Sequence, residues 1–179
     1  MHYVIIMIRI TNIKDKFIYV VKDYNGITIA FDFVPHYDMD EDGNKIETNV
    51  GSWSVHSFAK RPSFRQVKSF ILTEMNKSID KAIISGFKWK GMSVWLSSEN
   101  QFNYKAAYDL AFQTNGASLP TVFKFGTTEE PVYYKFDTLE ELTDFYTKAL
   151  TYINEQLAIG WYKKDSIDWS VYEEALKTL

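Results

Sequence analysis

At 179 residues the chain suits one domain, and 46% hydrophobic with 17% aromatic residues is ample for a packed core, which excludes wholesale disorder. A net charge of −3, with both signs mixed and no basic block, argues against nucleic acid as a main partner. The absence of cysteine excludes disulfides, thiolate metal sites and cysteine nucleophiles, and fits a cytoplasmic setting.

The apolar run Tyr3 to Ile8 is far shorter than the ~20 residues of a membrane helix and lacks the basic start of a signal peptide, so it reads as a buried strand. With Tyr3 to Ile10, Phe17 to Val21, Ile27 to Val34, Lys45 to Val50 and Ser52 to Phe58, residues 1–60 form an antiparallel β meander. Asp23-Tyr24-Asn25-Gly26 supplies a hairpin turn, and Pro35 ends the strand before it. Ile27, Ile29, Phe31 and Phe33 share one face; Trp53, Val55 and Ser57 share another, opposite Ser54, His56 and Phe58. Asp38, Asp40, Asp42 and Gly43 match the first half of a calcium loop, but position twelve is Asn49, which cannot give the bidentate carboxylate. An acidic hairpin tip turning at Asp42-Gly43 is the simpler reading, with a weak calcium site as the alternative.

Ser63 and Gln66 make a capping box for a first helix, whose buried face is Phe64, Val67, Phe70, Ile71, Leu72 and Met75. Asn76-Lys77-Ser78 bends or interrupts it, and Ser85-Gly86 stops it. Phe87 to Trp89 and Met92 to Leu96 flank Lys90-Gly91 as a tight hairpin. Ser97 or Ser98 starts a central helix, with Gln101 three residues after Ser98. Phe102, Ala106, Ala107, Leu110 and Ala111 fall on its apolar side, extended by Asn100, Tyr104 and Tyr108; Lys105 and Asp109 pair on the opposite side. Asn103 lies among the apolar residues, so it reads as buried and bonded to the Leu119-Pro120 loop or a strand; the alternative is that Asn100 and Asn103 face a groove. A second hairpin, Thr121 to Phe125 and Val132 to Phe136, leads to a third capping box at Thr138 and Glu141 and to the longest helix, ending near Lys163. Gly160 sits on its buried stripe, which points to close approach of another backbone or to the helix end. Residues 169–179 are a short helix or a loose tail.

VWLSSENQFNYKAAYDLA, then Ala117-Ser118-Leu119-Pro120 and FDTLEELTDFYTKALTYINEQLAIGWYKKDSID, resembles an uncharacterised family encoded by phages and prophages of gut bacteria, over about residues 61–168. Related domains are similar to proteins found beside tail-fibre genes. The resemblance carries no activity. It implies a protein partner, such as a phage tail or assembly protein, a homo-oligomer as a further option, and a location in the bacterial cytoplasm during synthesis and on the virion afterwards.

Catalytic signals are sparse. His2, His36 and His56 have no partner at metal-ligand spacing, and nucleophile elbow, Walker loop and dinucleotide fingerprint are absent from the sequence, so no cofactor or membrane contact is expected. Glu129-Glu130 and Glu140-Glu141 read as solvated or helix-start acids. The aromatic surplus remains: Trp161, Tyr162 and Trp169 at a helix end, with Asn100 and Tyr104 on the central helix, are the candidate partner-binding residues. The expectation is therefore a single α+β domain, a meander followed by three helices separated by two hairpins, acting as a non-enzymatic phage accessory protein. A small cell-envelope glycan hydrolase with dispersed carboxylates, or a host-protein-binding factor, is the alternative.

Overall fold

The computed structural model describes residues 7–12, 20–23 and 26–179. The fold is α+β: an antiparallel N-terminal sheet, then helices and two small hairpins. It forms two compact units, one of the described residues up to Met75 with Lys163–Leu179, the other Asn76–Tyr162. Most of Tyr3 to Ile8, the start of the Phe17 strand, Tyr24-Asn25 and His2 lie outside the described residues.

The first unit is built on β1 (Met7–Asn12), β2 (Val20–Asp23), β3 (Gly26–Met39) and β4 (Lys45–Phe58). Their order is β1-β4-β3-β2, all antiparallel. Strands β2 to β4 run as a meander, and β1 lies beside β4, which the sequence did not indicate. Pro35 does not end β3. The strand passes through it because the ladder is irregular there, with register shifts between Phe31 and Val34 and between Pro35 and Tyr37. A bulge leaves a backbone position unpaired, so a residue without an N–H is tolerated. Asp32 sits in the bulge at φ 49°. The extra residue reverses the alternation: Ile27, Ile29 and Phe31 are buried together, whereas Phe33 packs on Trp53 at 4.8 Å beside Ala30 and Val55. The expected four-residue face is therefore three residues long.

Helix α1 (Phe64–Gly86) opens with the expected capping box: Ser63 N–H donates to Gln66 Oε1 at 2.8 Å, and Gln66 N–H to Ser63 Oγ at 3.3 Å. Val67, Ile71 and Met75 are buried against the sheet residues. The helix runs through Asn76-Lys77-Ser78 without interruption. Helix α4 (Trp169–Thr178) is a true helix capped by Asp168, making four helices among the described residues rather than three. Its Tyr172 and Leu176 are buried, and the Tyr172 hydroxyl donates to the Ala30 carbonyl at 2.7 Å. His56 stacks on Phe70, with ring centroids 4.0 Å apart; burial lowers its pKa, against the nearby Glu74.

The second unit contains hairpin β5 (Lys88–Trp89) and β6 (Met92–Ser93), α2 (Ser98–Gln113), hairpin β7 (Thr121–Gly126) and β8 (Pro131–Phe136), and most of α3 (Leu139–Asp165). Lys90 and Gly91 both have positive φ, 48° and 79°, as a two-residue turn matched to strand twist requires. The core is aromatic: Trp89, Phe125, Phe136 and Phe145 are at most 2% exposed. Trp89 Nε1 donates to Asp144 Oδ2 at 3.0 Å, so the indole enters the core without leaving its N–H unpaired. Among the described residues no helix is long and apolar enough to cross a membrane.

Candidate functional site

Two of the concave surfaces of the second unit each have a side of α2. Its orientation differs from the sequence expectation. Tyr104 and Ala111 are buried, at 4% and 0% exposure, whereas Phe102 is 71% exposed and Leu110 52%. The apolar pattern of α2 is split over two sides, and packing chose the one carrying Tyr104, whose ring lies 4.7 Å from Phe123 and 5.0 Å from Phe145. Tyr108 follows on that side and stacks on Tyr146 at 4.6 Å. Asn103 is consequently exposed and does not bond the Leu119-Pro120 loop. It faces a cleft, the alternative the sequence left open. Lys105 and Asp109 form the expected ion pair.

That cleft, about 630 Å³, is bounded by the segment after β6, the first half of α2, and β7 with the turn beyond it. Three devices set its geometry. Ser97, not Ser98, caps α2, accepting the Asn100 N–H at 3.3 Å. Gln101, expected in a capping box with Ser98, instead donates from Nε2 to the Leu96 carbonyl at 2.7 Å. Asn100 Nδ2 donates to the Trp95 carbonyl at 2.8 Å. The helix start is therefore tied to the segment that precedes it, which continues β6 without strand pairing although the sequence reads as a strand to Leu96. In that segment Val94 and Leu96 are 1% and 0% exposed, whereas Trp95 between them is 56% exposed and lines the cleft. Asn100, Asn103, Tyr104 and Trp95 line the cleft with Lys124 and Glu129. Burial pushes the Tyr104 hydroxyl up to about 12, and it makes no hydrogen bond within the described residues.

The second surface, a groove of about 260 Å³, lies between α2 and α3 and is mainly apolar: Phe102, Leu150, Ile153, Ala149 and Tyr146 line it with Lys105.

Of the sequence-selected partner-binding residues, Asn100 and Tyr104 meet in the cleft. Trp161 and Tyr162 are exposed on the same unit but line neither surface. Trp169 belongs to the other unit and is half-buried, packed edge-on against Phe64 with Lys68 Nζ 5.0 Å from its ring centroid. Trp95 and Lys124 were missed. The only signal for Trp95 was strand alternation beside Trp89. Nothing near Lys124 in sequence marks it.

The calcium alternative finds no assembled ligand set. Asp40 oxygens accept from the Asn44 backbone at 2.6 Å and from its side-chain amide at 3.1 Å, which holds the Asp40 carboxyl below its usual range. Asp38 pairs with Ile46 within the strand ladder, which ends at Met39 and Lys45, Gly43 at φ 81° makes the turn, and among the described residues no group of three metal-ligating side chains converges.

Glu140, Glu141 and Asp144 line a third, shallow concavity with Lys90 and Thr138. Glu141 is bonded to Lys90 and the Tyr134 hydroxyl, which lower its pKa; Asp144 is lowered by Lys148 and the Trp89 N–H. Neither is a carboxylic acid at neutral pH. Glu129 is the one carboxylate among the residues lining the large cleft. No protein family, no curated protein and no solved structure matches this chain.

Proposed function

We propose that this chain is a non-enzymatic accessory protein of a phage or prophage that binds another protein of the virion or of its assembly. The observation that carries the reading is the groove between α2 and α3, where Phe102 is 71% and Leu150 44% exposed over a floor of Ala149 and Ile153. Leaving a phenylalanine in water forgoes about 1.5–3 kcal/mol of burial, which a partner recovers. An apolar groove between two helices suits an amphipathic helix that inserts side chains one turn apart. The resemblance of residues 61–168 supplies the phage setting. Glu141 and Asp144, whose partners lower their pKa, are unsuited to be the proton-keeping carboxyl that glycoside cleavage needs.

The test is co-expression with the products of the adjoining genes, followed by size-exclusion chromatography with light scattering. One product should co-elute with the wild type and not with Phe102→Asp/Leu150→Asp, whose circular dichroism should match the wild type. Co-elution that survives the double substitution removes the groove from the reading. Self-association lost in the double variant makes a second copy the occupant. A clearing zone on bacterial envelope substrate would establish the hydrolase instead.

A further inference from the structure

We infer that the cleft beside Trp95 is a binding site for a neutral oligosaccharide. This goes beyond the protein-binding groove: neither Phe102 nor Leu150 lines the cleft, and neither reading needs the other.

The first reason is how Trp95 is held. Its neighbours Val94 and Leu96 are fully buried; Val94 N–H donates to the Phe87 carbonyl at 3.0 Å and Leu96 N–H to the Ile84 carbonyl at 2.8 Å. Asn100 fixes the Trp95 carbonyl from the helix side. An indole 56% exposed on a backbone clamped from both sides contributes nothing more to the core, and little freedom is lost when a ligand lies on it. A pyranose ring has a face of C–H groups, and a flat, rigid aromatic is its natural complement.

The second reason is the polar complement. The Asn103 amide and the Ser93 hydroxyl make no hydrogen bond within the described residues, and both line the cleft. An amide offers a donor and an acceptor side by side, and a hydroxyl offers both in one atom. Neighbouring sugar hydroxyls need that pairing. The third reason is charge. Lys124 and Glu129 also line the cleft without an ion pair to any described residue, and their opposite signs leave it near neutral. Phosphate and polyanion sites concentrate cations instead. The volume, about 630 Å³, lies inside the range of about 300–1,000 Å³ usual for small-molecule sites.

The probes are short neutral oligosaccharides of glucose, galactose, mannose and N-acetylglucosamine, each added to the full chain and followed by calorimetry and by the indole N–H signals in nitrogen-15 NMR spectra. At least one sugar should bind saturably with a millimolar or tighter Kd and shift the Trp95 indole signal. Trp95→Ala should weaken that binding at least about tenfold, as loss of an anchoring aromatic does. Asn103→Ala should weaken it by a factor of about 5, one hydrogen bond's worth. Phe102→Asp should leave it unchanged, which separates this site from the groove. The NMR shift is read on the wild type, so it stands even if a variant folds poorly. Failure of every sugar to bind, binding that Trp95→Ala does not weaken, or capture of an uncharged peptide in place of the sugars overturns the assignment.

Discussion

Replacing Gly160 with alanine sets two effects of opposite sign against each other. Gly160 is buried inside α3, where glycine costs a helix about 1 kcal/mol relative to alanine. A Cβ built there would meet Ile79 at 2.2 Å from Cδ1 and 2.6 Å from Cγ1. Carbon atoms rest at about 3.5–4.0 Å, so the isoleucine must retreat by more than 1 Å, roughly. The Cδ1 end can swing, but Cγ1 moves only if χ1 changes, and a β-branched side chain on a helix has essentially one comfortable χ1. Overpacking of this kind costs about 1–3 kcal/mol. The net expectation for Gly160→Ala is destabilisation of about 0–2 kcal/mol, although helix propensity alone gives the opposite sign. Urea unfolding of the wild type, Gly160→Ala, Ile79→Ala and the double variant measures it. Removing the isoleucine should abolish the penalty, with a favourable coupling of about 1–2 kcal/mol. A gain of about 1 kcal/mol in Gly160→Ala, unaffected by Ile79→Ala, would refute the close approach.

The two tryptophans of the first hairpin region should behave oppositely: Trp89→Ala, which empties the aromatic core and removes the indole N–H from Asp144, should cost about 3–5 kcal/mol, whereas Trp95→Ala should change stability by less than about 0.5 kcal/mol. Equal losses in thermal melts would show that Trp95 is not held outward. Asn103→Leu, on the exposed side of α2, should likewise leave the melt within about 0.5 kcal/mol; a larger loss would mean the amide has a buried partner. Tyr104 carries a pH dependence. Its folded pKa of about 12 lies above the ordinary tyrosine value of 10.0, so the folded state keeps the proton longer, and its contribution is fully present below pH 10 and lost as pH rises towards 12. Denaturant titrations across that range should show a slope that Tyr104→Phe reduces; an unchanged slope would place the hydroxyl in water.

Local chemistry was legible in the sequence wherever it is written in adjacent residues. Lys90-Gly91 specifies its hairpin because the turn needs two positive φ angles and few residue pairs supply them. Ser63 with Gln66 specifies the start of α1 because each side chain satisfies the other's free N–H. Gly160 on the stripe of α3 signalled a close approach, but what approaches is the Ile79 side chain and not another backbone. Periodicity, by contrast, says which residues share a side and not which side is inside. Along α2, Phe102, Leu110, Tyr104 and Ala111 all read as one broad apolar side, yet only Tyr104 and Ala111 turn inward; the choice fell to Phe123 and Phe145, which are distant in sequence and can receive the Tyr104 ring. One inserted residue at Asp32 carried Phe33 to the other face of the sheet, a shift that strict alternation cannot anticipate. At Thr138, half of the capping box formed: the threonine accepts the Glu141 N–H, but the glutamate turns to Lys90 and Tyr134, because a cation in reach outweighs a backbone amide. The cleft arises the same way, from the rotation of α2 that puts Asn103 outward and from buried neighbours that leave Trp95 no room inside.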